Sequence, residues 1–316
     1  MKTCPLPLWE ELARTDDTAT FFQTPAWFAF AARRHVGSEA APLLFEFPEG
    51  PVCLPLLRDR RWGRDRYFSP FGTYAGLLAQ RALAPGELAE ISRTLGSLNL
   101  QLTSSPFTRN PLQVGRALPA ASHVIDLRAV DPDDPARDWE RDARRRARRA
   151  VEAGVVVRRV RRGEDRDWDA YKELYRGTVS RWGKRARSAH PPDFFDDLRA
   201  MLAGEPGFQF WVAEAGGVIG AGFIGFDHNR HHALWHAAAD GAFFGSGAVQ
   251  LLYRTMIADA ARRGLETFDL LGSGGLAGVE AFKASLGARA IRYESSLNRT
   301  GLVGVLAGLR DRARGR

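Results

Sequence analysis

Lys283 lies at the edge of a helical apolar stripe near the end of the chain. Val279, Phe282 and Leu286 recur at the spacing of one helix face. This spacing places Lys283 beside the buried side of the helix and not opposite it. A fixed ammonium group can stabilise a developing oxyanion or hold a phosphate and ribose. Periodicity alone equally allows a solvated lysine, so both interpretations stay open.

Asp269 lies near the end of an apolar strand, directly before the glycine-rich loop Gly272-Ser273-Gly274-Gly275. Ligand crevices of α/β sheets open at the carboxyl ends of their strands. A carboxylate at that position can orient an attacking amine or accept its proton. The same side chain can equally cap the turn that follows. The sequence therefore predicts either a catalytic or a turn-capping role.

Histidines and aspartates cluster around a predicted hairpin and the strand after it: Asp227, His228, His231, His232, His236 and Asp240. A metal site is not favoured, because several of the histidines fall in a predicted turn and no Cys/His ligand spacing occurs. His236 and its neighbour Trp235 are interpreted instead as cleft residues that contact substrate. A surface histidine is the alternative.

A glycine-rich turn, Gly245-Ser246-Gly247-Ala248, precedes the best-defined amphipathic helix of the chain. The apolar face of that helix recurs at helical spacing over Val249, Leu252, Tyr253, Met256, Ile257 and Ala260. Backbone N–H groups at a helix N-terminus bind phosphate. Gly245, Ser246 and Gly247 are therefore candidates for contact with a phosphate-bearing co-substrate. A glycine-rich helix start without a ligand is the alternative.

An arginine-rich helix is predicted in the middle of the chain. Six arginines lie between Arg141 and Arg149. Trp139, Ala143, Ala147 and Val151 form a narrow apolar seam, so this helix has one buried edge. A solvated basic face is the usual role of such a charge run. Contact with a phosphate backbone is the functional alternative.

The composition is that of an ordinary globular protein, with 45% hydrophobic and 26% charged residues over 316 positions. The net charge of +8 favours association with polyanions. Cys4 and Cys53 have no ligand or disulfide spacing. No stretch approaches the roughly 20 apolar residues of a membrane helix. The N-terminus lacks the apolar core of a signal peptide, so the expected compartment is the cytoplasm.

The order helix, hairpin, strand, helix, strand occurs twice and predicts an α/β protein with mixed sheets and two modules. In the first half the predicted elements are a helix at 25–34, strands at 43–47 and 52–57, a basic loop at 58–66, a helix at 88–98 and strands at 100–103 and 123–127. In the second half they are a strand at 155–157, helices at 168–182 and 194–202, strands at 208–213, 218–226 and 233–239, a helix at 249–260, a strand at 267–271, a helix at 279–286, a strand at 290–297 and a basic helix at 302–314. The expected boundaries are modules over 1–135 and 155–300, a basic bridging helix over 136–154 and a basic C-terminal helix or tail over 301–316.

Four motifs together resemble the FemABX-type transferases, a branch of the GNAT-like acyltransferases. The C-terminal motif is Gly264-x4-Asp269, the glycine-rich loop, then Gly278-x3-Phe282-Lys283-x3-Gly287-Ala288. The others are Phe22-Gln23-Thr24-x2-Trp27, Ser69-Pro70-Phe71-Gly72-x-Tyr74-x-Gly76, and Arg145/Arg148-x5-Gly154-Val155. The resemblance spans residues 20 to 298. Because the chain lacks a long coiled-coil insertion, it resembles the compact branch of the family.

The resemblance implies two GNAT modules packed side by side and transfer of an amino acid from aminoacyl-tRNA. It implies that the Phe282-Lys283 pair lies where the acyl ester meets an acceptor amine, in a cleft between the modules. It also implies tRNA contacts for Arg145 and Arg148 and a substrate-binding role for Tyr74. The leading hypothesis is aminoacyl transfer to a small-molecule or peptide amine, without stable membrane insertion.

Two alternatives stay open. GNAT enzymes bind pyrophosphate at the turn that corresponds to Gly245 to Gly247, so acyl-CoA is the alternative co-substrate and the chain would then be an N-acyltransferase. Ala242, however, occupies the position where those enzymes usually carry Arg or Gln. The second alternative is a non-catalytic RNA- or membrane-surface-binding protein on the same scaffold. It depends on the arginine helix and on the basic tail from Arg310 to Arg316.

Overall fold

The structure, a computed structural model, describes residues 1–61, 63–161, 164–182, 189–191 and 193–299. By their contacts these residues form two compact units. The first is Met1–Ala120 continued by the chain from Arg292 onward, and the second is Ala121–Ile291. The module boundaries expected from the sequence stay predictions. The basic C-terminal helix or tail predicted over 301–316 lies outside the described residues.

The elements follow the predicted order closely. From the N-terminus they are β1 (Lys2–Thr3), α1 (Leu6–Thr15), α2 (Pro25–Arg34), β2 (Ser38–Ala40), β3 (Leu43–Phe47), β4 (Gly50–Leu54), β5 (Leu57–Arg61), β6 (Arg64–Phe68), α3 (Pro85–Leu95), β7 (Asn99–Leu102) and β8 (Arg116–Asp126). They continue with α4 (Arg141–Glu152), β9 (Val156–Arg159), α5 (Asp165–Trp182), α6 (Phe194–Leu202), β10 (Phe208–Ala215), β11 (Val218–His228), β12 (His231–Ala239), α7 (Ala248–Arg262), β13 (Thr267–Asp269), α8 (Ala277–Ser285) and β14 (Arg289–Asn298).

Each unit contains a mixed sheet. In the first unit β2, β5, β6, β7 and residues 292–298 of β14 pair in that order, and β6 runs parallel to β7. A separate antiparallel sheet has the order β1-β3-β4. In the second unit residues 121–126 of β8 are followed by β13, β12, β11, β10 and β9, with β12 and β13 parallel. These mixed sheets confirm the predicted α/β class.

The motif around Trp27 stabilises the first unit. Thr24 Oγ1 accepts a hydrogen bond from the Trp27 amide and so caps α2. The Trp27 indole donates to Thr73 Oγ1 at 3.0 Å. Tyr74 is buried, and its ring packs edge-on against Phe22 and Tyr293. The structure therefore gives Tyr74 a packing position, and its substrate-binding role stays a prediction.

The basic loop predicted over 58–66 is wrong, because this segment forms the antiparallel strands β5 and β6. Opposite charges face each other across the two strands. Asp59 lies opposite Arg66, with Arg66 Nε 3.0 Å from Asp59 Oδ1. Arg58 pairs with Glu39 of β2. Cross-strand charge pairs stabilise a sheet without apolar alternation, which explains why hydrophobic periodicity missed these strands.

The arginine helix α4 packs against α7 through alanines. Ala143, Ala147 and Ala150 are buried, whereas Val151 is 53% exposed, so the predicted seam is wrong at its last residue. The start of α7 contacts α4 at Gly247, which has a φ of 81°. A Cβ atom there would lie 2.1 Å from the Arg146 carbonyl oxygen. Glycine is therefore needed at Gly247 both for its left-handed backbone and for the close helix contact.

A β-bulge in β12 decides which face of the sheet receives two predicted site residues. His236 pairs with Ile224 and Leu234 with Gly225, which leaves Trp235 as the extra residue. A bulge reverses the alternation of side chains beyond it. Trp235 and His236 consequently both lie against α5 and α6, where His236 contacts Tyr171 and Trp235 contacts Phe194. Without the bulge His236 would share a face with Leu234, which packs in the core of the second unit.

Candidate active site

Lys283 is the buried side chain of α8, whose residues are all described. It is 7% exposed, whereas Val279 of the predicted apolar stripe is 36% exposed. The predicted stripe is therefore wrong at Val279, and the helix turns its lysine inward. Such burial of an ammonium group is uncommon unless polar partners compensate for lost water.

Two backbone carbonyls provide that compensation. Lys283 Nζ donates to the carbonyl oxygens of Leu271 and Gly272, at 2.9 Å each. Both residues belong to the loop after β13. Leu271 has a φ of 58°, a left-handed conformation that costs free energy for a residue with a Cβ atom. The lysine thus stabilises a strained turn and is held in one position by it.

The Lys283 ammonium has an altered proton affinity. Burial lowers its pKa to about 8, while the negative charges of Asp269 and Glu280 act in the opposite direction. The group is therefore mostly protonated at neutral pH and loses its charge in mildly alkaline solution. A lysine in this state can stabilise negative charge at neutral pH and still exchange its proton.

Asp269 ends β13 and is fully buried. Its Oδ1 accepts hydrogen bonds from the Leu271 amide, at 2.8 Å, and from the Ser122 hydroxyl. These contacts correspond to the turn-capping role that the sequence left open. Its catalytic role stays a prediction.

Ser122, His123 and Ser273 complete the surroundings of the loop. β8 pairs with β13 so that Val124 lies opposite Asp269. The amide of Leu270 donates to the His123 carbonyl at 2.8 Å, and the His123 ring lies 3.3 Å from the Ser273 hydroxyl. Ser122 and His123 could not be found as site residues from the sequence, because they are more than 140 positions from the loop and carry no local motif.

The sheet opens beside this loop. β12 pairs with β13 only from His231 to Ala233, although β12 continues to Ala239. The carboxyl ends of two parallel strands lie at the same edge of a sheet, which is where α/β proteins bind ligands. The Lys283 loop follows β13 at that edge. The ammonium of Lys283 therefore lies next to the point where β12 and β13 stop pairing.

Phe282 and the Trp235–His236 pair lie in different surroundings. Phe282 is partly buried and packs on Tyr253 of α7 at 5.7 Å between ring centroids. His236 Nδ1 shares a hydrogen bond with the hydroxyl of the fully buried Tyr171. Burial lowers the pKa of His236 to about 3, with a further contribution from His190, so the imidazole is neutral. Substrate contact by these residues stays a prediction.

The glycine-rich turn before α7 is stabilised by its own contacts. Ser246 Oγ donates to the Phe243 carbonyl at 2.7 Å and accepts from the Ala248 amide at 3.2 Å. Gly247 contacts the α4 backbone, as described above, and Gly245 is exposed. The serine hydroxyl therefore accepts a hydrogen bond from one of the backbone N–H groups at the N-terminus of α7. A cofactor role for Gly245, Ser246 and Gly247 stays a prediction.

The two predicted RNA-contacting arginines of α4 differ in their surroundings. Arg145 forms an ion pair with Asp142 on the same helix. Arg148 lines a pocket with Arg141 and Arg144. The structure thus separates two residues that the sequence placed in one role, and contact of either with RNA stays a prediction.

No group of three or more His, Cys, Asp and Glu side chains within the described residues has an arrangement suited to a metal ion. His232 of the histidine cluster instead pairs with Asp227 at 2.7 Å. No helix in the described part of the chain is long and apolar enough to cross a bilayer. Cys4 and Cys53 are buried free thiols.

Comparisons with known proteins give one family-model match and several solved structures of similar fold. Residues 137–284 match the family model described as acetyltransferase (GNAT) domain. No curated protein matches the chain. The fold is similar to that of FemX, with a TM-score of 0.70, 11% identity and coverage of 93% of this chain and 97% of that one.

Two further solved structures have the same fold. The C-terminal domain of a protein assigned as a lysylphosphatidylglycerol synthetase from Agrobacterium fabrum has a TM-score of 0.54 and 13% identity, and the alignment covers 85% of this chain and 87% of that one. A tandem GNAT protein from the clavulanic acid biosynthesis pathway has a TM-score of 0.52 and 12% identity, with coverage of 94% and 95%. The predicted fold, two tandem GNAT-like modules, is confirmed.

Proposed function

We propose that this chain, a GNAT-type acyltransferase with a FemX-like fold, transfers an aminoacyl group from aminoacyl-tRNA to an amine acceptor. The observation that carries the proposal is the buried ammonium of Lys283. It lies within the matched GNAT domain and is bound to the loop at the carboxyl end of β13. This is a fixed positive charge at the edge of the sheet where α/β proteins commonly bind ligands.

The reaction requires little covalent chemistry from the protein. The nitrogen of a neutral acceptor amine attacks the ester carbonyl carbon, and the carbonyl oxygen becomes an oxyanion. The C–O bond to the terminal ribose then breaks, the ribose oxygen takes up a proton, and the attacking nitrogen loses one. An amide and a free ribose hydroxyl result. Such a reaction depends mainly on orientation and on stabilisation of the oxyanion.

Lys283 is suited to the second task. An ammonium group has three N–H donors. Two of them bind the carbonyls of Leu271 and Gly272, and the third is directed to the acyl oxygen in this proposal. The carbonyls hold the ammonium in place before the charge develops, so no reorganisation is needed during the reaction. Asp269 is a positioning residue here, because it caps the turn that holds the two carbonyls.

Three observations favour tRNA over acyl-CoA as donor. The net charge is +8, and α4 presents arginines on its solvent side. The turn before α7 uses its serine to cap the helix and its glycine to contact α4. The name of the Agrobacterium fabrum protein, whose fold is similar, describes the synthesis of an aminoacyl lipid. An acyl-CoA-dependent N-acyltransferase is the outcome that would replace this proposal.

The donor is identified by thermal unfolding of the purified chain with acetyl-CoA and, separately, with charged tRNA. A ligand at about 100 times its dissociation constant stabilises the folded state by roughly 2.7 kcal/mol. We expect a salt-sensitive increase in the unfolding temperature with charged tRNA. We then expect an amine-dependent loss of the aminoacyl ester, measured with a panel of small amines and peptides. An increase with acetyl-CoA alone would replace tRNA with acyl-CoA.

A further inference from the structure

We propose that a pocket between α4 and α7 binds a phosphate group and the adjoining ribose of an RNA strand. The identity of the RNA as the donor rests on the proposed function. The pocket has a volume of about 350 Å³, and its charged lining is Arg141, Arg144 and Arg148 of α4, Arg254 of α7 and Asp134. All of these residues belong to the second unit.

The arginines of α4 form two stripes with different surroundings. Arg141, Arg144 and Arg148 are separated by three and four positions, so they lie on one helix face. Arg145 and Arg146 lie on the neighbouring face, and both form ion pairs with Asp142. One stripe is thus neutralised in part by the helix itself, and the other faces the pocket.

The pocket arginines lack such neutralisation. Among the residues that the structure describes, no carboxylate lies within ion-pair distance of Arg141, Arg148 or Arg254. Arg144 makes one long contact, 3.4 Å, with the Arg137 carbonyl. Several guanidinium groups around one concavity repel each other, and a bound phosphate relieves this repulsion while accepting paired N–H bonds. The lining therefore fits an anion with several oxygen acceptors.

Asp134 indicates what adjoins the phosphate. It lines the same pocket, yet no described cation lies within ion-pair distance of its carboxylate. A carboxylate is repelled by phosphate but accepts hydrogen bonds from hydroxyl groups. The ribose 2′-hydroxyl is such a donor and distinguishes RNA from DNA. A pocket of this size is at the lower end of the range for small-ligand sites, enough for one phosphate and its sugar.

An RNA strand is favoured as the source because the arginine stripe continues beyond one phosphate. From Arg141 to Arg148 the helix rises by about 10 Å, more than a single phosphate spans. Coenzyme A also contains a ribose phosphate and is the alternative source of the same chemistry. It is therefore included as a separate ligand in the test.

The test measures binding of fluorescein-labelled unfractionated tRNA by fluorescence anisotropy at several salt concentrations. The variants are Arg148→Ser and Arg254→Ser. Arg149→Ser is the matched control, because Arg149 is an exposed arginine of the same helix that does not line the pocket. We expect each pocket variant to weaken binding roughly tenfold and to reduce the salt slope by about one unit. The control should retain nearly all of the affinity.

Equal losses in Arg149→Ser and the pocket variants would overturn the proposal in favour of a diffuse basic surface. Unchanged binding in Arg148→Ser and Arg254→Ser would also overturn it. Weaker binding of coenzyme A, with unchanged tRNA binding, would reassign the pocket to coenzyme A. A further arm compares RNA and DNA hairpins of one sequence, and Asp134→Ala should reduce the preference for RNA. An unreduced preference would remove the ribose from the proposal.

The assay also separates this inference from the proposed function. If the unchanged chain transfers an aminoacyl group from tRNA and the pocket variants do so with the same KM, only the pocket inference fails. If the pocket variants lose tRNA binding but the unchanged chain transfers nothing, the proposed function fails and the pocket stands. If both hold, Arg148→Ser should raise KM for the tRNA and leave kcat nearly unchanged.

Discussion

Lys283 and His236 are two basic side chains of the same unit that burial affects in different ways. Burial lowers the pKa of Lys283 to about 8 and that of His236 to about 3. Lys283 therefore keeps its charge at neutral pH, whereas His236 is neutral throughout the physiological range. The first can stabilise an oxyanion, and the second is restricted to neutral hydrogen bonding.

The difference arises from the partners of each group. Lys283 donates to two carbonyls and has the negative charges of Asp269 and Glu280 nearby. His236 is surrounded by rings of Tyr171, Tyr175 and Phe195 and has a second histidine nearby. Burial alone therefore does not fix the charge of a basic side chain. The polar partners decide whether a buried base stays ionised.

The largest expected effect is the loss of transfer in Lys283→Met. Removal of one preorganised donor to an oxyanion costs about 10²–10³-fold in kcat. Lys172→Met is the matched control, because Lys172 is a surface lysine paired with Asp169 and Asp196. Rates are measured with saturating donor and acceptor. Near-normal kcat in a folded Lys283→Met variant would remove Lys283 from the chemistry and end the contrast with His236.

A smaller effect is expected for Tyr171→Phe, which removes the hydroxyl bonded to His236 Nδ1. It leaves a buried nitrogen unpaired and should lower the free energy of unfolding by about 1–3 kcal/mol. Turnover of the folded variant should stay near that of the unchanged chain. Chemical denaturation and a transfer assay provide the two readouts. A large loss of kcat with unchanged stability would show that this cluster, too, takes part in the reaction.

Per pH unit, the smallest effect is expected from a pair of pH windows in stability. A lowered pKa means that the unfolded chain binds more protons between the folded and unfolded values, so stability rises with pH there. For His236 the window is about pH 3 to 6.5, and for Lys283 about pH 8 to 10.5. Each group contributes at most about 1.4 kcal/mol per pH unit.

These windows are checked by thermal unfolding across the pH range. In Lys283→Met the increase between pH 8 and 10.5 should become smaller, while the acid window should stay unchanged. If the stability of the unchanged chain did not rise between pH 8 and 10.5, this result would contradict the lowered pKa of Lys283.

Much of the fold could be predicted from local patterns. The bounds of α2 match the prediction at both ends, and α7 and its apolar face were predicted from the spacing of residues such as Leu252 and Met256. The strands β5 and β6 could not be found in this way. They depend on charge pairs with residues such as Glu39, which apolar periodicity does not record.

For the candidate site, the sequence determined which residue to suspect, and the tertiary structure decided what surrounds it. Lys283 was a candidate from its position beside a helical stripe. Its burial in place of Val279, and the presence of Ser122 and His123 beside the same loop, came only from the packing of α8 and β8 around β13.

The physical reason is the range of the interactions. Helix and strand periods are set by neighbours within a few positions, so they are visible in the sequence. The burial of a lysine depends on carbonyls supplied by another segment, and the face on which His236 lies depends on a single bulged residue, Trp235. Such long-range contacts and one-residue shifts leave no periodic signal, and only the folded chain determines them.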